Sequence, residues 1–312
     1  MALVQPGHYG RRVVVEAGYD AERAEGARAG WETVTSGQVR YCRESSAMLQ
    51  PPRQGVPWWL RAYLLVGAVQ GLAIGLTGLI RPAHVVGFPL QTTPLNTRFV
   101  AAFYLAGAAG LIASAAARRA VDTRIFLIGF IAVTALLLAA TIWYWSTYTD
   151  GGIPYPWVTS YVVEPIIGVA ILVGLRLWRA DSPGLHGMSP VYAAEAAVFA
   201  VVGLVLATAP DTAVRVWPWA LTAVLARTYA AIFLAFALGA ALAAGERRPQ
   251  AVRAFAVSSL TLVAVTAAVS LAHHAKFDGG PSTWVWVAGL AAGLAGFAVA
   301  GIAALRPAPE TA

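Results

Sequence analysis

From Pro57 onward the chain alternates long apolar runs with short polar breaks. The runs fall at roughly 58–80, 94–117, 124–146, 158–178, 190–209, 223–245, 252–274 and 283–305. Each holds about 20 residues or more, enough to cross a hydrocarbon core of about 30 Å as a helix. A spanning segment has to satisfy its own backbone polar groups, so these runs are helices rather than loops. The pattern predicts an all-α polytopic integral membrane protein with eight transmembrane helices. Ahead of them, residues 1–56 are mixed in charge and Gly-rich, with no sustained helical or strand period. That is the composition of a disordered segment. A mis-assigned start is the alternative for residues 1–47, with translation beginning at Met48.

The apolar runs repeat. Residues 86–145 align without a gap on 215–274, an offset of 129. Many matches are Ala on Ala and mean little. The polar matches carry the argument: Pro89, Thr93, Arg98, Arg118, Arg119 and Arg124 fall on Pro218, Thr222, Arg227, Arg247, Arg248 and Arg253. "DGG" at 150–152 recurs at 278–280 after a slip of one residue. The expected division is a four-helix repeat over 57–180 and a second over 181–312. With an even number of spans in each, the two repeats are parallel, related by an axis along the membrane normal.

Composition agrees with the pattern: 58% of residues are hydrophobic and 12% charged, at a net charge of +7. A soluble domain is about 25% charged. Residues 1–47 contain six Arg and six acids, so the whole +7 lies in the helical part. A basic membrane protein points to cytoplasmic loops rather than nucleic acid. With the N-terminus cytoplasmic, that side receives Arg53, Arg61, Arg118, Arg119, Arg124, Arg176, Arg179, Arg247, Arg248, Arg253 and Arg306. The opposite side receives Arg81, Arg98, Arg215, Arg227 and Lys276. The excess predicts a cytoplasmic (inner) cell membrane location with both termini cytoplasmic. Cys42 is the sole cysteine, which excludes an intramolecular disulfide and a thiolate metal site. No cofactor is implied.

The chemistry gathers at the predicted outer ends. Thr93-Pro94 reads as a helix N-cap and first position, and Thr222 takes the same place in the second half. Arg98 and Arg227 follow in the second turn. An arginine at the positive end of a helix opposes the helix dipole, so some partner has to offset it. Three are open: a lipid phosphate, a buried acid, or an anionic ligand held jointly with the helix N-terminus. Glu164, within the fourth span, is the acid at similar depth, and pairing with Arg98 would satisfy both. Its repeat counterpart is Ala291 or Ala292, so the acid is not a requirement of the repeated pattern. Glu195, near the start of the fifth span, reads as structural. His273 and His274 end the seventh span but point about 100° apart, unlike a metal-binding pair at i and i+4. Trp145, Trp217 and Trp219 belong first to an interfacial aromatic belt.

These residues suggest a protein that binds or transports a small amphipathic anionic ligand at an outer-leaflet pocket. Its site would comprise Arg98, Arg227, Glu164, His273, His274, Trp217, Trp219 and Trp145, without a metal. One alternative is a membrane-embedded enzyme acting on a lipid or isoprenoid, with Glu164 as acid/base and a histidine assisting. Another is an accessory or structural subunit without catalysis. Membrane lipid is the expected partner, with a homo-oligomer or another membrane protein as a further one. The four-plus-four layout resembles heme A synthase in helix count alone, because spans one to six contain no histidine. The loop, proline, cap and arginine unit resembles small four-helix bacterial membrane proteins of the DoxX sort, from which no residue roles carry over.

Overall fold

The structure is a computed structural model that describes residues 4–6, 12–14, 55–83, 85, 88–90, 92–150, 152–177 and 189–305. The chain divides into two compact units, 1–53 and 54–312. In the first, β1 (Val4–Pro6) pairs antiparallel with β2 (Arg12–Val14). The sequence reading expected no strand here; the β-branched run at Val13 and Val14 favours extended backbone. The remainder of residues 1–53, and the disorder expected of it, lies outside the described residues. The expected boundary at 56 shifts, because Val56 is buried and Gly55 bridges to Arg119 within the second unit.

The second unit is an all-α polytopic membrane protein. Among the described residues, its eight long apolar helices are α1 (Trp58–Ile80), α2 (Pro94–Ala115), α3 (Arg124–Trp143), α4 (Tyr155–Gly174), α5 (Pro190–Thr208), α6 (Ala223–Ala244), α7 (Pro249–Ala272) and α8 (Pro281–Leu305). Three of them start two or three residues earlier than hydropathy suggests: Pro156, Pro249 and Pro281 sit at their openings. Proline suits a first turn, since its missing N–H would have no partner there anyway.

α2 and α6 form the buried centre. α1 packs along α2 and α5 along α6, while α3 packs on α4 and α7 on α8. The remaining extensive contacts cross between halves: α2 with α7, and α6 with α3. The stretches 57–180 and 181–312 are therefore not separate bundles. They exchange their third helices. Glycine permits the close approaches, as lipid-facing helices commonly require. A Cβ on Gly75 of α1 would lie 2.7 Å from Leu105 of α2, and one on Gly203 of α5 would lie 2.8 Å from Leu234 of α6.

Contacts recur at matched positions. Thr93 Oγ1 accepts from the Asn96 N–H, and Thr222 Oγ1 accepts from the Leu225 N–H. The Trp157 indole donates to Thr141 at 2.9 Å, and the Trp286 indole donates to Ser270 at 3.0 Å. Phe88 meets Trp157 as Trp217 meets Trp286. These pairs all stand 129 apart, whereas Gly75 and Gly203, or Pro82 and Pro210, stand 128 apart. At the offset of the tryptophans Glu164 falls on Gly293, one residue beyond the alanines expected.

Candidate functional site

The two arginines have partners that the sequence reading did not weigh. Arg98 Nε donates to the Leu79 carbonyl at 3.0 Å, and its Nη1 donates to His273 Nε2 at 2.9 Å. Leu79 lies in the last turn of α1. Arg227 Nε donates to the Ala207 carbonyl at 3.3 Å, in the last turn of α5, and its Nη1 donates to the Tyr144 hydroxyl. Tyr144 and His273 stand 129 apart and directly follow α3 and α7. Each guanidinium thus leaves the positive end of its own helix for the negative end of a neighbour, where a cation is favoured. It also satisfies a carbonyl that has no partner within its own helix. Each ties α2 to α7, or α6 to α3. The expected Arg98–Glu164 pair is absent among the described residues: their ion pairs are Arg119–Asp122, Arg124–Glu246 and Arg248–Glu246.

His273 is fixed by this bond. Its Nε2 accepts from Arg98, so the ring proton sits on Nδ1, which donates to the Val269 carbonyl at 3.0 Å. His274 is exposed, with Nδ1 against the Leu271 carbonyl. Trp217 and Trp219 stack edge to face at 5.3 Å inside a ring cluster with Phe99 and Trp286. Trp219 donates to Asn96 Oδ1 at 2.7 Å and is core. Trp145 is exposed in the short turn Trp145–Tyr148. The expected site residues therefore do not converge on one pocket. Arg98 joins His273, Arg227 lies over the rings of Trp143 and Tyr144, and Trp217 joins Trp219.

Glu164 stands elsewhere, midway along α4. It lines a cavity of about 110 Å³ walled by α1, α2, α3, α4, α6 and α7. The lining is largely aromatic or small, with Phe103, Phe126, Phe130 and Phe236 beside Gly67, Gly71, Gly107 and Gly129. Its polar members are Gln70, Tyr104, Thr134, Tyr161, Glu164 and Ser258. Tyr104 and Tyr161 share a 2.7 Å hydroxyl bond. Gln70 donates to Ser160 at 2.8 Å, and Thr134 bonds back to its own helix. The Glu164 carboxyl has no hydrogen-bond or ion-pair partner among the described residues, and neither His273 nor His274 lines this cavity. Among the described residues, the lining contains no Lys, Arg or His.

The sequence reading missed Gln70, Ser160, Tyr104, Tyr161 and Tyr63. A usable signal was present. At offsets of 128 for α1 and 129 beyond it, their counterparts are Val198, Gly289, Phe233, Leu290 and Val191. The polar cluster exists in one half only.

Glu195 has a packing contact beyond its place near a helix start. It is buried and accepts from Ser259 Oγ at 2.9 Å across α5 and α7, with Oε2 unpartnered. Outside the spans, Glu246 receives Arg248 at both oxygens and Arg124 at Oε2. Burial pushes its carboxyl upward, and the Arg248 hydrogen bonds together with both cations outweigh that, leaving it below the usual carboxylate value. Asp278 caps the start of α8 through the Thr283 hydroxyl, the Gly280 N–H and the Ser282 hydroxyl, and these bonds hold its carboxyl low.

The chain matches no protein-family model, no curated protein and no solved structure.

Proposed function

We propose that this protein binds or transports a small amphipathic molecule with a cationic end, held in the cavity beside Glu164. The observation that carries the reading is the Glu164 carboxyl, without a partner among the described residues, in a cavity to which they bring no basic side chain. An ionisable group inside a membrane span is costly and usually functional. An alkylammonium would neutralise it, and the aromatic and glycine walls would take the apolar body. This reverses the ligand charge expected from Arg98 and Arg227, whose guanidinium groups already bond helix-terminal carbonyls. The matched contacts support reading the halves as one duplicated unit, in which the cavity residues are additions that break the symmetry. We place both termini on the cytoplasmic side of the inner cell membrane, on the arginine distribution.

The test uses the full chain in liposomes with decylamine carrying a diazirine in its alkyl chain, and the matching decanol as control. The amine should label residues 94–115 saturably, and unlabelled decylamine should compete. A hydrogen bond to a charged group contributes about 1.5–3 kcal/mol, so Glu164→Gln should weaken amine labelling about 10- to 100-fold and leave decanol unchanged. Equal labelling by both probes, unaffected by Glu164→Gln, would overturn the reading.

A further inference from the structure

The seam between α1 and α4 has a second opening that leads to the same carboxyl. A cavity of about 230 Å³ runs between these helices and shares Gly67, Gln70, Phe130 and Glu164 with the first. Its outward members are mostly apolar: Val66 is 69% exposed, Val163 41% and Ile167 39%, beside the exposed Thr159. Two hydrogen bonds span the seam. Gln70 donates to Ser160 at 2.8 Å, and the Tyr63 hydroxyl donates to the Glu164 carbonyl at 3.1 Å. At Gly67 the seam has no side chain.

Behind this seam, where α1 faces α3, the other half is bridged. Position 67 corresponds to Glu195 and position 130 to Ser259, and there the carboxyl bonds the hydroxyl across α5 and α7. In the first half a Cβ on Gly67 would lie 3.1 Å from Leu111 of α2 and 3.9 Å from Phe130 of α3. The same place in the fold therefore has a polar bridge in one half and a glycine in the other.

We infer that the ligand reaches Glu164 sideways from the bilayer, through the seam between α1 and α4, with Gln70–Ser160 and Tyr63–Glu164 as its latch. The inference rests on the proposed binding function and narrows its ligand to a molecule already dissolved in the lipid. A membrane-partitioned amine meets Val66, Val163 and Ile167 at the lipid-facing mouth, and its charged end then passes Gln70 and Ser160. Glu164 takes its charged end. Among the described residues two hydrogen bonds have to open, and both join side chains to a neighbouring helix without interrupting a helix backbone.

The test closes the seam reversibly. In a Cys42→Ser background, Val66→Cys with Val163→Cys is linked by a short bifunctional thiosulfonate and released by reductant. The probe is the diazirine decylamine, added from preloaded liposomes. Linked, empty protein should take up the probe at least about tenfold more slowly, and reduction should restore the rate. Protein loaded before linking should retain its probe through washing. As a second variant, Gln70→Leu removes one latch bond and should speed uptake without the chemical link. Uptake by linked protein at the unlinked rate, or no acceleration by Gln70→Leu, overturns lateral entry and leaves the binding reading standing. Uptake by the unlinked protein that ignores Glu164→Gln overturns both.

Discussion

Removing Glu246 should destabilise the protein more than any other single surface-proximal change. Its carboxyl sits just past the end of α6, where two arginines converge. Arg248 donates through Nε at 2.9 Å, Nη2 at 2.8 Å and its backbone N–H at 3.0 Å; Arg124 approaches at 3.4 Å. The Glu246 side chain is 1% exposed, Arg124 8% and Arg248 30%. Glu246→Ala leaves two like charges facing each other. Arg248 can turn toward solvent, so its pair contributes at most about 1 kcal/mol. Arg124 cannot turn out so easily, because it opens α3 inside the bundle. Breaking a buried pair from one side costs about 3–5 kcal/mol, a large share of a typical stability of about 5–15 kcal/mol. The assay is unfolding in mixed micelles with rising dodecyl sulfate, followed by tryptophan fluorescence. Glu246→Ala should cost about 3 kcal/mol or more, and Arg124→Met with Glu246→Leu should recover a good part of it. The pH dependence carries a definite sign. The folded carboxyl lies below its unfolded value of about 4.3. Its contribution is therefore complete above that value and is lost as pH falls through the folded one. Wild type should weaken in that acid window more steeply than Glu246→Gln. A cost under about 1 kcal/mol, or strictly additive single and double effects, would refute the cluster's role.

Three further outcomes follow from the same contacts. His273→Tyr places at the end of α7 the residue that α3 has at Tyr144, so it should keep the bond from Arg98 and most of the stability, whereas His273→Leu should lose about 1–3 kcal/mol; equal effects in the unfolding assay would break the match between the two arginine contacts. Gly110→Ala and Gly239→Ala each drive a methyl into a phenyl ring, Phe126 or Phe255, and should cost about 1–3 kcal/mol alike; a cost at one site alone would show that the crossings differ. Reporter fusions after Ile80, Arg119, Gly151 and Asp181 should alternate outside, inside, outside, inside, and any exchange of sides refutes the proposed orientation.

The sequence alone was enough for the eight helices, both threonine caps and the matched arginines. Those features are local. Partition into a bilayer follows from summed hydropathy over about 20 residues, and a cap follows from one side chain and its next turn. Helix starts were legible only in part, because hydropathy does not register a proline that opens a first turn. Which helices touch was decided by tertiary structure. In lipid the outward face of a helix is as apolar as the inward one, so no polar stripe marks the buried side, and packing depends on where small residues let backbones approach. Hence the exchange of α3 and α7 left no trace in the pattern. The partners of Arg98 and Arg227 were hidden for the same reason: His273 is 175 residues from Arg98, and no local rule joins them. Glu164 was visible as an isolated acid, but its cavity was not. Its walls come from α1, α2, α3, α4, α6 and α7, which tertiary packing alone brings together, and at the position matching Gly67 the second half has Glu195 bonded to Ser259.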